Sequence, residues 1–354
     1  MNIEKLIRDP VFQLNLILWM AKEQPEACFQ VLPLFQQHGF SPFLIEQPFK
    51  FPVAVSRQIE GSPALSISKE PEPEVILSKP QDKKAIYFEC KAQSFGPGSS
   101  NSRQARGHLL ASGDAFADVY RPLEYCLLGY LVPDSDRGGM SECLTTLQGE
   151  LSSGGFSPGQ FSIHGLKVDG GSLFYTWGKR LAEHLGMPES QPDEIPVMEN
   201  ITPETNPSPL LLVYTDEDCP DRESRDYYRR ILCEKLRAAM LCDLNQEHGE
   251  LGIPLSSDGL LHNTTGGMFQ YLGRKRQESL RNFVRDNIFD FIVQQWESKV
   301  PDLAKREGQT LTLAWGGAEN KKNFLEWLED RKTVFPAERI TEVQMNITFD
   351  SADE

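Results

Sequence analysis

The sequence lacks the features of a secreted, zinc-binding or membrane-spanning chain. Its 354 residues include seven scattered cysteines but no CxxC pair, and an odd number of unpaired thiols is typical of a reducing compartment. The apolar run at 12–21 is too short to cross a bilayer, and no small-residue cleavage site follows it. We therefore expect a cytoplasmic protein with no membrane partner and no zinc site.

An excess of positive charge is also absent. The chain carries 36 Lys and Arg against 51 Asp and Glu, a formal net charge of −15. Phosphate binding depends on Lys and Arg, so this balance argues against a protein whose whole surface binds nucleic acid. A local basic channel stays open, with 222–237 and 274–285 as candidates, although a solvated helix face with ion pairs explains either segment alone.

Phosphate loops and histidine metal motifs are missing as well. Glycine pairs occur at 168–172 and 264–268, but neither belongs to a GxGxxG motif and no GKS or GKT follows. The six histidines include no HxxxH pair. We expect turns at both glycine pairs and structural or exposed histidines.

The pattern that is present predicts four regions. Apolar residues at helical spacing indicate a helical N-terminal segment at 1–40, and alternating strand and helix patterns indicate an α/β core at 41–180. Six prolines between Gly186 and Pro209 suggest a linker at 181–209. A second α/β region follows at 210–354, beginning with a buried strand at 210–215 and ending with an alternating strand at 340–349.

Within the core, the predicted order is helix, three strands, helix and strand. The strands fall at 43–55, 74–78 and 85–92, a helix follows at 103–120, and the apolar run at 124–133 is typical of a fully buried strand. This order predicts an α/β fold with a mixed central sheet flanked by helices.

The strand "AIYFECKAQ" carries two opposite charges on one face. Alternation places Tyr87, Glu89 and Lys91 on the same side, away from Phe88 and Cys90. A buried charge must be paired, reach water or hold an ion. Glu74 begins the neighbouring short strand, so the turn between the two strands brings it beside Glu89. Two carboxylates and the main-chain carbonyl of Cys90 would suit Mg²⁺ or Mn²⁺.

These residues resemble the PD-(D/E)XK (restriction-endonuclease-like) nuclease superfamily. The resemblance rests on Pro73-Glu74, a fifteen-residue interval and then Glu89-Cys90-Lys91 followed by a helix, and it covers about residues 40–180 with an αβββαβ core. It does not extend to a named family. Glu stands where Asp is usual after the proline, which leaves Glu72 or Glu74 as the ligand.

The resemblance implies a metal-dependent nuclease that hydrolyses DNA phosphodiesters. It assigns catalysis to Glu74, Glu89 and Lys91, metal binding to the two carboxylates, and substrate contacts to Gln104 and Arg106 on the next helix. For the last two, ordinary first-turn polar residues are an equal alternative. Related nucleases often serve bacterial defence against phage or plasmids, or repair.

The acidic balance suggests that a protein partner, such as an ATPase, a translocase or another subunit, or a homo-oligomer, brings the DNA to the site. The alternative is a non-catalytic scaffold or nucleic-acid-binding subunit that retains a nuclease-like fold. For Glu89 and Lys91 themselves, the structural alternative is a solvent-facing salt bridge that contributes little stability.

Overall fold

A computed structural model describes residues 3–24, 31–188, 193–199, 210–219, 221–246, 253–330 and 333–338. The chain divides into two units, one comprising 1–220 and 265–279 and the other 221–264 and 280–354. The predicted boundaries at 40, 180 and 209 do not coincide with this division. Helices and strands within both units show an α/β protein, and no described helix is long and apolar enough to cross a bilayer.

Unit 1 is built on a mixed seven-stranded sheet in which the strands follow one another in chain order. The strands are β1 (Ser41–Ile45), β2 (Val75–Lys79), β3 (Lys84–Cys90), β4 (Tyr125–Pro133), β5 (Gln160–Asp169), β6 (Ser172–Thr176) and β7 (Glu194–Met198). β3, β4 and β5 pair in parallel, and the other neighbours are antiparallel. The predicted mixed sheet flanked by helices is confirmed.

Helices cover both faces of this sheet. They are α1 (Ile3–Leu6), α2 (Pro10–Ala21), α3 (Leu34–Gln37), α4 (Val53–Glu60), α5 (Asn101–Ala111), α6 (Asp114–Val119), α7 (Arg137–Ser153) and α8 (Lys179–Leu185). α5, α6 and α7 bury a large apolar cluster against one face, which includes Tyr87 and Leu128. On the other face, Phe35 of α3 lies against Phe88, with ring centroids 5.3 Å apart.

Several predicted segments of unit 1 differ from the structure. The strand predicted at 43–55 ends at Ile45, and residues 53–55 are helical because α4 begins at Val53 directly after Pro52, and proline is favoured at helix starts. The range 181–209 holds most of α8 and all of β7, which adds an antiparallel edge strand to β6. Proline is tolerated on an edge strand, so Pro196 does not prevent pairing. The remainder, 189–192 and 200–209, lies outside the described residues.

The segment 210–215 is buried, as predicted, but it is not a strand. Its Leu212 and Val213 bond to the side-chain amide of Asn15 on α2 instead of to a neighbouring strand. Asn15 Oδ1 accepts from Leu212 N (2.5 Å) and Val213 N (2.9 Å), and its Nδ2 donates to Val213 O (2.9 Å). One buried amide thus satisfies backbone groups that a sheet would otherwise satisfy.

Unit 2 combines helices with a small antiparallel sheet of order β8, β10, β9. Its elements are α9 (Arg222–Gln246), β8 (Ile253–Ser256), α10 (Ser257–Thr264), the end of α11 (Arg274–Val284), a π-helical turn (Arg285–Phe289), α12 (Asp290–Glu297), β9 (Ala304–Glu307), β10 (Thr310–Leu313) and α13 (Ala318–Glu329). Trp296, Phe324 and Trp327 form an aromatic cluster in this unit. The strand predicted at 340–349 lies outside the described residues.

Candidate functional site

The charged pair lies at the carboxyl end of β3, in the middle of the sheet. β3 pairs with β2 on one side and β4 on the other, and Glu89 stands opposite Tyr130 of β4. Lys91 follows the strand, and its amide donates to Leu131 O (2.9 Å). A central strand with helices on both faces buries its side chains, so Glu89 is only 1% exposed.

Glu89 and Lys91 form a short ion pair. Lys91 Nζ lies 2.6 Å from Glu89 Oε1 and 3.4 Å from Gln104 Oε1 of α5. The Lys91 side chain is 21% exposed, so its ammonium lies between the buried Glu89 carboxylate and the more exposed edge of the site. The predicted alternative of a solvent-facing salt bridge therefore does not describe Glu89, although the two opposite charges do neutralise each other.

A histidine and a tyrosine complete this network. His108 of α5 is fully buried; its Nε2 lies 3.4 Å from Glu89 Oε2, and its Nδ1 lies 2.9 Å from the Tyr87 hydroxyl. If the hydroxyl donates to Nδ1, the imidazole proton sits on Nε2 and faces the carboxylate. Tyr87 and Glu89 are two apart on β3, so one histidine reaches both from the helix above.

Electrostatics keep both members of the pair ionised. Burial raises the pKa of Glu89, but the ammonium of Lys91 and then the imidazole of His108 outweigh it, so the pKa is lowered overall. Burial lowers the pKa of Lys91, but Glu89 and then Glu74 outweigh it, so that pKa is raised. A carboxylate with a lowered pKa stabilises the fold above its unfolded pKa, and this contribution is lost as the pH falls through the folded pKa.

A cavity of about 400 Å³ opens beside Lys91. Lys91 and Cys90 line it together with three carboxylate residues, Glu46, Glu74 and Glu217. Glu89 is not among the lining residues. Lys91 is therefore the side chain that touches both Glu89 and the cavity, and the cavity presents hard oxygen ligands to its contents.

Glu46 adopts an unusual backbone conformation at this cavity. Its φ is 47°, in the left-handed region that non-glycine residues rarely adopt, and it is 5% exposed. Its carboxylate lies 3.4 Å from Nε of Arg276, whose Nη1 is 3.4 Å from Glu217. Backbone strain of this kind is concentrated at functional sites.

The N-terminal helices hold the main chain that follows β3. Gln13 of α2 donates to Lys91 O (3.1 Å) and to Ile7 O (2.8 Å). Arg8 donates to Ala92 O (3.3 Å) and lies 3.4 Å from Asp136. The helical segment predicted at 1–40 therefore supports the candidate site directly.

The structure brings some predicted site residues together and separates others. Glu89, Lys91 and Gln104 are in contact, and Glu74 shares the cavity with Lys91. Glu72 does not line this cavity, which favours Glu74 between the two alternatives. Arg106 turns to α7 instead, where its Nη2 lies 2.7 Å from Glu150.

Sequence reasoning did not assign roles to His108, Glu46 or Glu217. His108 stands one turn after Gln104 on the same helix face, a spacing that the sequence displays. Glu46 and Glu217 come from segments far apart in the chain, and no local pattern connects them with β3.

The second of the two basic segments proposed as a channel, 274–285, is largely paired with acids. In 274–285, Lys275 lies 2.9 Å from Glu217, Arg281 lies 2.6 Å from Asp258, and Arg276 contacts Glu46. These ion pairs support the solvated-face interpretation of that segment.

The described residues hold neither a cluster of three metal-ligating side chains nor a nucleophile elbow. No group of three or more His, Cys, Asp or Glu side chains among them is placed to hold a metal ion. The predicted set of two carboxylates and one main-chain carbonyl is smaller than such a group. A GxSxG run at 155–159 joins α7 to β5, so it turns from helix to strand, the reverse of a nucleophile elbow.

Comparisons of the chain with protein-family models, with curated proteins and with solved structures found no match.

Proposed function

We propose that the protein is a metal-dependent nuclease that hydrolyses DNA phosphodiester bonds at the carboxyl end of β3. One observation carries this proposal: the Lys91 ammonium contacts a buried carboxylate, Glu89, and at the same time lines a cavity that Glu74 also lines. The order of elements supports a restriction-endonuclease-like core, since the β2–β3 hairpin is followed by a helix and a parallel strand.

The donor set suits a hard divalent cation. Glu74 and Glu89 would hold Mg²⁺ or Mn²⁺ with the main-chain carbonyl of Cys90, all three being oxygen donors. Glu89 Oε1 pairs with Lys91, and Oε2 faces His108 Nε2 at 3.4 Å without completing a hydrogen bond among the described residues, so Oε2 is the oxygen that the ion would engage. The bound ion would polarise the phosphoryl oxygen and lower the pKa of a bound water.

Each residue then has a defined task. Glu89, oriented by His108, keeps a negative charge at the end of β3. Lys91 is 21% exposed and reaches the cavity, where its ammonium would orient the attacking water or stabilise charge on the scissile phosphate. Gln104 fixes the position of the ammonium through the 3.4 Å contact.

The net charge of −15 bears on how DNA would reach this site. A strongly acidic surface repels the phosphate backbone, so we propose that a protein partner, such as an ATPase, a translocase or another subunit, or a homo-oligomer, delivers the substrate. Defence against foreign DNA and repair are the roles that fit such an arrangement.

The test combines cleavage with metal binding. Plasmid and linear DNA are incubated with Mg²⁺ or Mn²⁺ and wild type, Glu89→Gln, Glu74→Gln or Lys91→Ala, and Mn²⁺ binding is titrated for each protein. We expect cutting by wild type alone, and weaker Mn²⁺ binding in the two Glu variants. Glu60→Ala and Lys69→Ala are matched controls, because these residues form an exposed ion pair in the same unit.

A wild type that binds no Mn²⁺ and cuts nothing would contradict the proposal. Binding without cutting would point to a missing partner, and mixing the protein with its co-purifying subunits would then have to restore metal-dependent cleavage.

A second candidate is a non-catalytic scaffold or nucleic-acid-binding subunit that retains this fold. It is favoured by the contacts that Glu89, Lys91, His108 and Tyr87 make with one another inside the core. For a scaffold, Glu89→Gln would lower stability and leave metal binding unchanged.

A further inference from the structure

A second groove on unit 1, of about 550 Å³, has an opposite charge from the cavity beside Lys91. It lies where β6 has ended and the chain turns into α8, with α7 on its other side. Three basic residues line it, Arg137, Lys179 and Arg180, and none of its lining residues is acidic. In a chain with a net charge of −15, such a groove is a local exception.

Arg137 is held in a fixed position over the sheet. Its Nη1 lies 3.3 Å from Asp134 Oδ1 and 3.1 Å from Thr176 Oγ1, and Thr176 donates to Asp134 (2.6 Å). The backbone below is Gly165, where an added Cβ would come within 2.7 Å of the Arg137 side chain. Glycine therefore lets the arginine lie close to β5.

Among the described residues, two donors at this groove have no hydrogen-bond partner. Arg137 Nε is buried and makes no hydrogen bond within the described residues. The same holds for the hydroxyl of Ser162, which lines the groove and is 4% exposed. Buried donors without partners are uncommon and indicate a bound acceptor or a small local shift.

The other two cations are exposed and loosely paired. Lys179 is 75% exposed, and its ammonium is 3.7 Å from Glu183, a distance at which an exposed pair contributes little. Arg180 is exposed and donates to Phe161 O (3.1 Å). Both side chains can turn toward an anion in the groove.

The groove is tied to the candidate site through the start of α7. Asp136, directly before Arg137, accepts from Ser94 N (3.0 Å) and Ser94 Oγ (3.1 Å), and Ser94 follows Lys91 by three residues. The main chain leaving the candidate site is therefore fastened to the residue next to the groove's fixed arginine.

We propose that this groove binds phosphates of the nucleic acid backbone and so guides the strand whose scissile bond lies at Lys91. This inference rests on the proposed function for the substrate class, but it concerns binding and can be tested with the metal removed.

The experiment measures binding of a short fluorescein-labelled single-stranded DNA by anisotropy, in EDTA, over a series of NaCl concentrations. Neutralising two phosphate contacts should reduce the slope of log K against log salt by about 1.4, since each contact on a single strand contributes roughly 0.7. We expect this reduction in Lys179→Ala/Arg180→Ala and not in the control Arg57→Ala/Lys69→Ala, which removes two exposed cations from the same unit.

The outcomes separate this inference from the proposed function. Three results would overturn the groove proposal. They are a wild-type slope in Lys179→Ala/Arg180→Ala, an equal reduction of the slope in the control, and no DNA binding by wild type. If wild type cuts DNA but the groove variant keeps its slope, the nuclease proposal stands and the groove falls. If wild type neither binds Mn²⁺ nor cuts DNA but the slope changes as expected, the groove proposal stands and the nuclease proposal falls.

Discussion

Two buried tyrosine–histidine pairs lie on opposite faces of the same sheet and differ in the charge beside them. In each pair the tyrosine hydroxyl is 2.9 Å from the histidine Nδ1, Tyr87 with His108 and Tyr175 with His164. Both histidines are fully buried. His108 faces the Glu89 carboxylate, whereas the charged group acting on His164 is the Arg137 guanidinium.

The charge beside each histidine distinguishes a candidate functional site, at His108, from a structural core, at His164. Burial, with Arg137 adding to it, lowers the pKa of His164 to about 3, so the ring is neutral at physiological pH and packs against Tyr175 and Phe88. On the other face His108 makes the same hydrogen bond to a tyrosine, but its Nε2 faces the ionised Glu89 carboxylate, which is paired with an ammonium that reaches a cavity. A hydrogen-bonded histidine is thus not informative in itself; the charge it faces and the cavity nearby are.

The largest effect should come from Lys91→Ala, which breaks the ion pair on the His108 face. The variant leaves the Glu89 carboxylate buried without its main counter-charge, so we expect a loss of about 3–5 kcal/mol in the free energy of unfolding at pH 7. Urea denaturation measures this loss. The control Lys69→Ala, at an exposed pair, should change stability by less than about 1 kcal/mol.

The loss in Lys91→Ala should also shrink in acid. Without the ammonium, burial is expected to raise the pKa of Glu89, and the folded protein then binds a proton that the unfolded chain has already lost. Stability of the variant relative to wild type should therefore rise as the pH falls below that raised pKa. A difference that stays constant down to about pH 4, near the carboxyl pKa of an unfolded chain, would contradict the assigned role of Lys91.

The next largest effect comes from His164 on the opposite face of the sheet. It grows as the pH falls, whereas the loss in Lys91→Ala shrinks. Because the folded pKa of His164 is lowered to about 3, the unfolded chain binds a proton below about pH 6.5 that the folded chain does not. Wild type should therefore lose about 1.4 kcal/mol per pH unit from this residue as the pH falls from about 6.5 towards 3. His164→Phe removes this loss, although the variant is less stable at pH 7 because the Tyr175 hydroxyl loses its partner.

The measurement is a set of urea unfolding curves for wild type and His164→Phe across this pH range. If the difference between them is the same at every pH, His164 has the same pKa in the folded and the unfolded protein, and the comparison between the two faces fails.

Gly129→Ala tests the comparison between the two faces by crowding the packed His164 face. An added Cβ would come within 2.7 Å of the Phe88 ring and 3.0 Å of His164 Nε2, in a packed interior that yields little. We expect a loss of about 1–3 kcal/mol in thermal or urea unfolding, with the Mn²⁺ affinity of the folded protein unchanged. A large change in Mn²⁺ affinity would mean that the two faces are coupled.

The smallest effect should come from Arg106→Gln on α5. Arg106 lies two residues before His108 but pairs with Glu150, which is 38% exposed, so stability should fall by about 1 kcal/mol or less. DNA cleavage should keep its wild-type rate, since the guanidinium is engaged at α7. A loss of cleavage with unchanged stability would return Arg106 to the substrate site, as the sequence resemblance implied.

The sequence predicts the strands that carry strong local signals. The run at 124–133 became β4, because nine consecutive residues of a central parallel strand need apolar side chains on both faces. The placement of Glu89 on β3 and of Lys91 directly after it, on the same face, also followed from alternation. The site residues brought in by tertiary packing, Glu46 and Glu217, could not be found, because their placement depends on segments distant in the chain.

Local sequence patterns gave wrong predictions at two segments, because the backbone there makes other contacts than the pattern indicates. At 210–215 the apolar run reads as a strand, yet the amide of Asn15 takes the backbone bonds. At 181–209 prolines read as a linker, yet an edge strand leaves one side of its backbone unpaired and accommodates Pro196 in β7.

The contact made by Asn15 has a consequence for the evolutionary record of this chain. Its side-chain amide forms hydrogen bonds with backbone atoms of Leu212 and Val213, which every amino acid other than proline supplies. Positions 212 and 213 are thus free to drift among apolar residues, while position 15 must remain an amide of this length. Pairs of positions that change together would not reveal this contact, since only one partner contributes a side chain. Among natural variants, we expect asparagine to persist at 15 without any matched change nearly two hundred positions away.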